Sequence, residues 1–219
     1  MVTVRLTMLC ATASPGNRDQ VFGDGTRDEP GRREVSAAHA ALPPYTRAVR
    51  TPSAPCARLA EALAVEAVAE DALRDLDYGA WDGRALRDIA AEDPHALSVW
   101  LTDPNAAPHG GESVARLCAR TAAWLRTLPA GQGHVLAIAE AAVVRAALVH
   151  ALAVPARSFW HLRVPRLATV TLTLRDGLWS VRLGQPAAAD HRPSPAWGSS
   201  PVAVPVPPAV PRQLCLVGR

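Results

Sequence analysis

The sequence predicts an α/β fold built on a mostly parallel sheet. Short apolar runs of strand length alternate with segments whose apolar residues recur at helical spacing. The run His134-Val135-Leu136-Ala137-Ile138-Ala139 is uninterrupted and passes directly into a helix-period segment. Near the end, Asp176-Gly177 separates two alternating runs and marks a hairpin, because Asp-Gly supplies the positive φ values of a tight turn.

In chain order, residues 3–9 read as the first strand and residues 32–42 as a helix. Residues 46–50 are a short strand before Thr51-Pro52, and residues 55–64 carry Ala, Leu and Glu at helical spacing. Residues 65–68 are expected as another short strand. Residues 84–103 should be helical in two pieces, broken near Asp93-Pro94 because a residue before proline is pushed out of the helical region. Gly110-Gly111 introduces an amphipathic helix over 112–128. The strand 134–139 is followed by a helix over 141–153, and 168–174 pairs with 178–183. Residues 1–184 form one domain in this reading. Residues 185–219 hold eight of the 20 prolines, so they are expected to be extended or disordered, a passive tail.

Composition narrows the functional classes. The chain has 219 residues, is 49% hydrophobic and 20% charged, and can bury a real core. Its basic residues are all Arg, with no Lys, which reads as the codon bias of a high-GC bacterial genome. Net charge is +3 and no basic block of five residues occurs, so a nucleic-acid partner is not indicated. Cys10, Cys56, Cys118 and Cys215 lack metal-ligand or disulfide-framework spacing, so neither metal nor cofactor is expected. No secretory leader and no apolar run of membrane-spanning length is present, and a cytoplasmic protein is the expectation.

In parallel α/β folds, function gathers where strand C-termini meet helix N-termini. Cys10-Ala11-Thr12-Ala13-Ser14 and Glu140-Ala141-Ala142 are two such strand ends. Leu73-Arg74-Asp75-Leu76-Asp77-Tyr78-Gly79-Ala80-Trp81-Asp82-Gly83 mixes carboxylates, aromatics and glycines. Pro108-His109-Gly110-Gly111-Glu112-Ser113 permits close backbone approach.

These four segments, taken in chain order, resemble the histidine phosphatase (phosphoglycerate-mutase-like) superfamily over about residues 3–183. The resemblance implies a three-layer αβα sandwich. It places Ser14 and Asn17 in register with the family's Thr and Asn, and Asp75 at its general-acid position. Within the family the chain looks closest to small-molecule phosphatases of the cobalamin-pathway type. The family's nucleophilic His position is Ala11 and its second His position is Glu140. Cys10 and Pro55 stand where phosphate-binding Arg residues would be.

That substitution pattern argues against phosphomonoester hydrolysis. Phosphoryl transfer to imidazole needs a nucleophile and cationic forks around the anionic oxygens. Ala11 supplies no nucleophile, and Cys10 and Pro55 supply no charge. Glu140 would repel a phosphate; two unit charges about 4 Å apart repel by about 4 kcal/mol at an effective dielectric near 20. Asp75 and Glu140 facing one cleft could instead act as acid and base. Glu140 could also simply cap the helix that follows, and for Glu112 the cap is the expected role. Cys10 is either a nucleophile at a strand end or a small apolar filler. His109 is either a rim residue or a catalytic one. The candidate catalytic residues are thus Asp75, Glu140 and Cys10. Ala11, Ser14, Asn17, Pro55, His109 and Glu112 line the expected binding site for a small molecule. The function is a repurposed acid/base enzyme (isomerase, dehydratase or cyclase type), a metabolite binder, an inactive regulatory pseudophosphatase, or a residual phosphatase.

Overall fold

A computed structural model describes residues 3–12, 21–23, 30–131 and 133–184. Its framework is a six-stranded mixed sheet flanked by helices. The strands are β1 (Thr3–Cys10), β2 (Arg47–Arg50), β3 (Val68–Ala69), β4 (His134–Ala139), β5 (Thr169–Arg175) and β6 (Leu178–Gly184). They lie side by side in the order β3-β2-β4-β1-β5-β6. The first three pairings are parallel and the last two antiparallel. The predicted hairpin is β5–β6, with Asp176 at φ 51° and Gly177 at φ 79° in its turn.

Strand side chains alternate between faces, and this splits the core in two. Leu6, Met8 and Cys10 of β1, with Val135, Ala137 and Ala139 of β4, enter the larger apolar cluster. There they meet residues of α4 (Pro94–Thr102), α5 (Val114–Thr127) and α6 (Ala141–Ala151). Leu9, Ala11, Leu136 and Ile138 face the other way and enter the smaller cluster. It is closed by α1 (Arg32–Ala41) and α2 (Ala54–Ala62). The arrangement is the expected α/β sandwich, with α3 (Leu86–Glu92) joined to α4 at Asp93. Asp93 ends α3 and caps α4, accepting the Ala96 N–H at 2.8 Å, so the predicted break falls where expected.

Three elements differ from the sequence expectation. The strand expected at 65–68 is only Val68–Ala69. The chain is still leaving α2 there: Ala64 sits at φ 52° and the Val65 N–H donates back to Ala60 O at 2.9 Å. The helix expected from 112 begins at Val114, because Ser113 is its cap and accepts the Arg116 N–H at 3.3 Å. Glu112 therefore lies before the helix and does not cap it. The segment Ala156–His161, expected as a loop, is a 3-10 turn that buries Phe159. The Pro-rich tail, residues 185–219, lies outside the described residues.

Candidate functional site

The parallel strands β1, β2 and β4 end at one edge of the sheet, and Cys10, Ala11 and Glu140 lie there. The β1–β4 ladder continues past Cys10, with Ala11 N–H donating to Ala139 O at 2.8 Å. Thr51 follows β2, tied to Ile138 O by its N–H at 2.9 Å. This brings the start of α2 beside the start of α6.

Glu140 is the first residue past β4 and is only 3% exposed. Its side chain makes no cap hydrogen bond to α6. It turns instead to α2, where Ser53 Oγ donates to its Oε1 at 2.6 Å and Cys56 Sγ lies 3.6 Å away. The helix-capping role expected for Glu140 falls to Thr12, whose Oγ1 accepts the Ala141 N–H at 3.1 Å. A carboxylate at the positive end of α2 is favourably placed. Pro55, in the first turn of α2, brings no N–H to that helix end.

Asp75 is presented by a loop that α5 holds from below. Arg120 on α5 places Nε and Nη2 on the two carboxylate oxygens of Glu112, at 3.1 and 2.6 Å. Its remaining donors reach the carbonyls of Ala72 (3.0 Å), Arg74 (2.8 Å) and Asp75 (3.4 Å). Glu112 thus serves as half of a buried fork that fixes the backbone carrying Asp75. Arg74 adds a weaker contact to Glu112 at 3.7 Å.

Two glycines lock this loop to the next one. Glu112 N–H donates to Asp77 O at 2.8 Å and Ala80 N–H to His109 O at 2.9 Å. A Cβ on Gly111 would overlap the Asp77 carbonyl, and one on Gly79 would overlap the His109 carbonyl. Held this way, His109 is 3% exposed and not on the rim. Its Nδ1 accepts the Gly111 N–H at 3.1 Å, and its ring packs 5.1 Å from Trp81. Burial lowers its pKa. The imidazole is a neutral member of an aromatic cluster with Phe22, Tyr78, Trp81 and Trp100.

Cys10 is fully buried and donates from Sγ to Thr12 O at 2.9 Å. Burial, followed by lesser influences that include the Glu140 and Asp75 charges, pushes its pKa up to about 12. At pH 8 roughly one such thiol in ten thousand is ionised. Iodoacetamide should therefore leave Cys10 unlabelled in the native protein at pH 8 and label it in urea. Peptide mass spectrometry reads this site by site, and rapid native labelling would restore Cys10 as a nucleophile.

One buried charge of the site escaped the sequence reading. Arg145 of α6 is 4% exposed, with its guanidinium carbon 5.2 Å from the Phe159 ring centroid. Burial lowers its pKa, while the Asp75 charge acts in the opposite direction; arginine stays charged in such surroundings. Tyr78 is buried beside it, its pKa raised by burial and next by Asp75. The signal for Arg145 was present: it is the lone charge in Ala141-Ala142-Val143-Val144-Arg145-Ala146-Ala147-Leu148-Val149.

The site therefore joins Cys10, Ala11, Thr12, Ser53, Cys56 and Glu140 around the strand ends, with Asp75, Tyr78 and Arg145 close enough to influence Cys10 electrostatically or each other. Ser14 and Asn17 lie outside the described residues. Among the described residues, no group of three or more His, Cys, Asp or Glu side chains could hold a metal ion. None of their helices is long and apolar enough to cross a membrane.

The histidine phosphatase superfamily (branch 1) family model matches residues 31–185. The adenosylcobalamin/alpha-ribazole phosphatase of Salmonella typhimurium is 26% identical over 114 residues, 51% of this chain and 56% of that protein. Phosphoserine phosphatase 1 of Hydrogenobacter thermophilus is 26% identical over 105 residues, 47% of this chain and 50% of that protein. The chain spans about half the length of these curated relatives. Among solved structures, the alpha-ribazole phosphatase of Shigella flexneri superposes with a TM-score of 0.67 at 18% identity, covering 86% of this chain and all of that one (100%). A structure described as mycobacterial hydrolase 2 superposes with a TM-score of 0.67 at 23% identity, covering 88% and 94%. At these identities the structural likeness concerns the fold.

Proposed function

The chain belongs to branch 1 of the histidine phosphatase superfamily, and from that premise we propose that it binds a small molecule without hydrolysing phosphomonoesters. The observation that carries this reading is the Ser53–Glu140 hydrogen bond of 2.6 Å. A buried carboxylate of the protein sits at the α2 N-terminus and takes up the hydroxyl beside it. At α6 the Ala141 N–H already donates to Thr12 Oγ1. The Ala141 N–H of α6 and the Cys56 N–H of α2, two helix-end donors that could meet a phosphate, already have internal acceptors. The resemblance puts Ala11 at the nucleophile position, and the neighbouring Cys10 is held as a thiol.

The named relatives act on small molecules, and we keep that ligand size while dropping the phosphate. Glu140 and Asp75 favour a neutral or cationic polar ligand. The buried Arg145 balances part of that negative charge and can orient an acceptor group. A second reading, acid/base catalysis by Asp75 and Glu140, draws on the fact that both charges act on the same buried Cys10 and Tyr78. It concerns the same residues and is separated from simple binding by turnover alone.

The test is hydrolysis of a panel of phosphomonoesters by the purified chain beside an Asp75→Ala variant. The expected outcome is release of phosphate at the buffer rate in both. Turnover well above background that disappears in the variant would overturn the proposal and make the chain a residual phosphatase. A ligand found subsequently by thermal-shift screening should lose affinity in Glu140→Gln.

A further inference from the structure

A second site, remote from the first, is built by the opposite end of the same sheet. Thr3, Arg5 and Thr7 project from the β1 face that carries Leu9 and Ala11 further along. In register across the sheet, Arg5 lies beside His134 on one side and Thr173 on the other, and Thr173 beside Ser180. The next row is Thr7, Thr171 and Arg182, and Thr3 pairs with Arg175. α1 and α2 cover this face only over the C-terminal halves of the parallel strands. The uncovered part forms an open cavity of about 990 Å³, walled on one side by Pro43-Pro44-Tyr45-Thr46 and, among the described residues, lined by none from a helix.

Its chemistry is one-sided. Arg5, Arg175 and Arg182 all line it, and among the described residues no Asp or Glu does. None of the described ion pairs neutralises these three guanidinium groups. Thr7 Oγ1 contacts His134 Nε2 at 2.8 Å and Thr171 Oγ1 at 3.1 Å, which fixes the floor. Tyr45, 38% exposed, offers a flat ring at the wall. Three like charges around one depression repel one another, and a bound anion relieves that repulsion. Guanidinium forks match phosphate oxygens in geometry, and the volume suits a ligand of nucleotide size.

We propose that this cavity binds a small phosphate-bearing anion, independently of the site at the strand C-termini. Neither the fold family nor the Glu140 site enters the inference, so the two proposals stand or fall separately.

The test is calorimetric titration of the full chain with inorganic pyrophosphate and with ATP, at low and at raised salt. Both should bind at low salt and weaken as salt screens the arginines. The double variant Arg175→Glu/Arg182→Glu should lose at least about tenfold in affinity for both. Both residues are exposed, so an unchanged melting temperature is expected and separates lost binding from lost folding. A Tyr45→Ala variant that weakens ATP but not pyrophosphate would assign a nucleotide; equal retention of both would assign the phosphate group alone, and either supports the site. Absence of heat from both ligands with the wild-type chain, or affinity unchanged in the double variant, would overturn it.

Discussion

Arg120→Ala should lower unfolding stability by about 3–5 kcal/mol, among the largest effects of any single side-chain truncation in this molecule. The Arg120 and Glu112 side chains are 13% and 8% exposed, and removal leaves the carboxylate buried with only the long 3.7 Å contact to Arg74. The carbonyls of Ala72, Arg74 and Asp75 lose donors at the same time. Arg120→Lys keeps the charge but cannot reproduce a fork that meets two oxygens and three carbonyls, so it should fall between wild type and Ala. Urea unfolding followed by tryptophan fluorescence measures both. A loss under about 1 kcal/mol would mean the pair behaves like an exposed surface bridge. Because the same fork holds the Asp75 backbone, Arg120→Lys should also weaken any ligand whose binding Asp75→Ala weakens.

This clamp shows where sequence reading reaches its limit. Glu112 and Arg120 are eight residues apart, beyond the three- or four-residue spacing that signals neighbours on a helix. Glu112 lies just outside α5, so the contact depends on how the Gly110-Gly111 turn delivers it. Arg120 itself looks like any other polar-face arginine. By contrast, β4 and the β5–β6 hairpin were legible because an apolar run and an Asp-Gly turn are local signals. The break at Asp93-Pro94 was legible for the same reason.

At the site, the strand ends and the loop bearing Asp75 were legible as segments. Their partnerships were not. Glu140 reaches Ser53, 87 residues earlier, and leaves its own helix to Thr12. A cap is the local expectation for an acidic residue at a helix start, and the tertiary contact overrides it. Arg145 was legible as a lone charge in an apolar helix, yet its meaning depends on Phe159, Tyr78 and Asp75, which only the fold brings near. Gly111 lies between these cases: the glycine pair was visible, but what it must avoid was not.

Gly111→Ala is expected to cost roughly 3 kcal/mol or more, since the clash is with backbone and cannot be relieved by a rotamer change. The new Cβ would overlap the Asp77 carbonyl oxygen and stand 2.8 Å from the Gly79 nitrogen. Relief requires the two loops to part. That would break the Glu112 N–H to Asp77 O bond of 2.8 Å and the Ala80 N–H to His109 O bond of 2.9 Å. It would also shift His109 within its ring cluster. Gly110→Ala is the internal control. Gly110 sits at φ 77° with nothing within 4 Å of a Cβ, so substitution there strains only its own backbone, at about 1 kcal/mol. Paired urea titrations of the two variants separate close approach from backbone strain. Equal losses would mean that the loops do not interlock through Gly111. A larger loss at Gly111 that comes with weaker ligand binding and red-shifted or broadened tryptophan emission would tie loop registration to the site. It would identify the contact between the 77–80 and 109–112 segments as what holds Asp75 and Tyr78 in place above the strand ends.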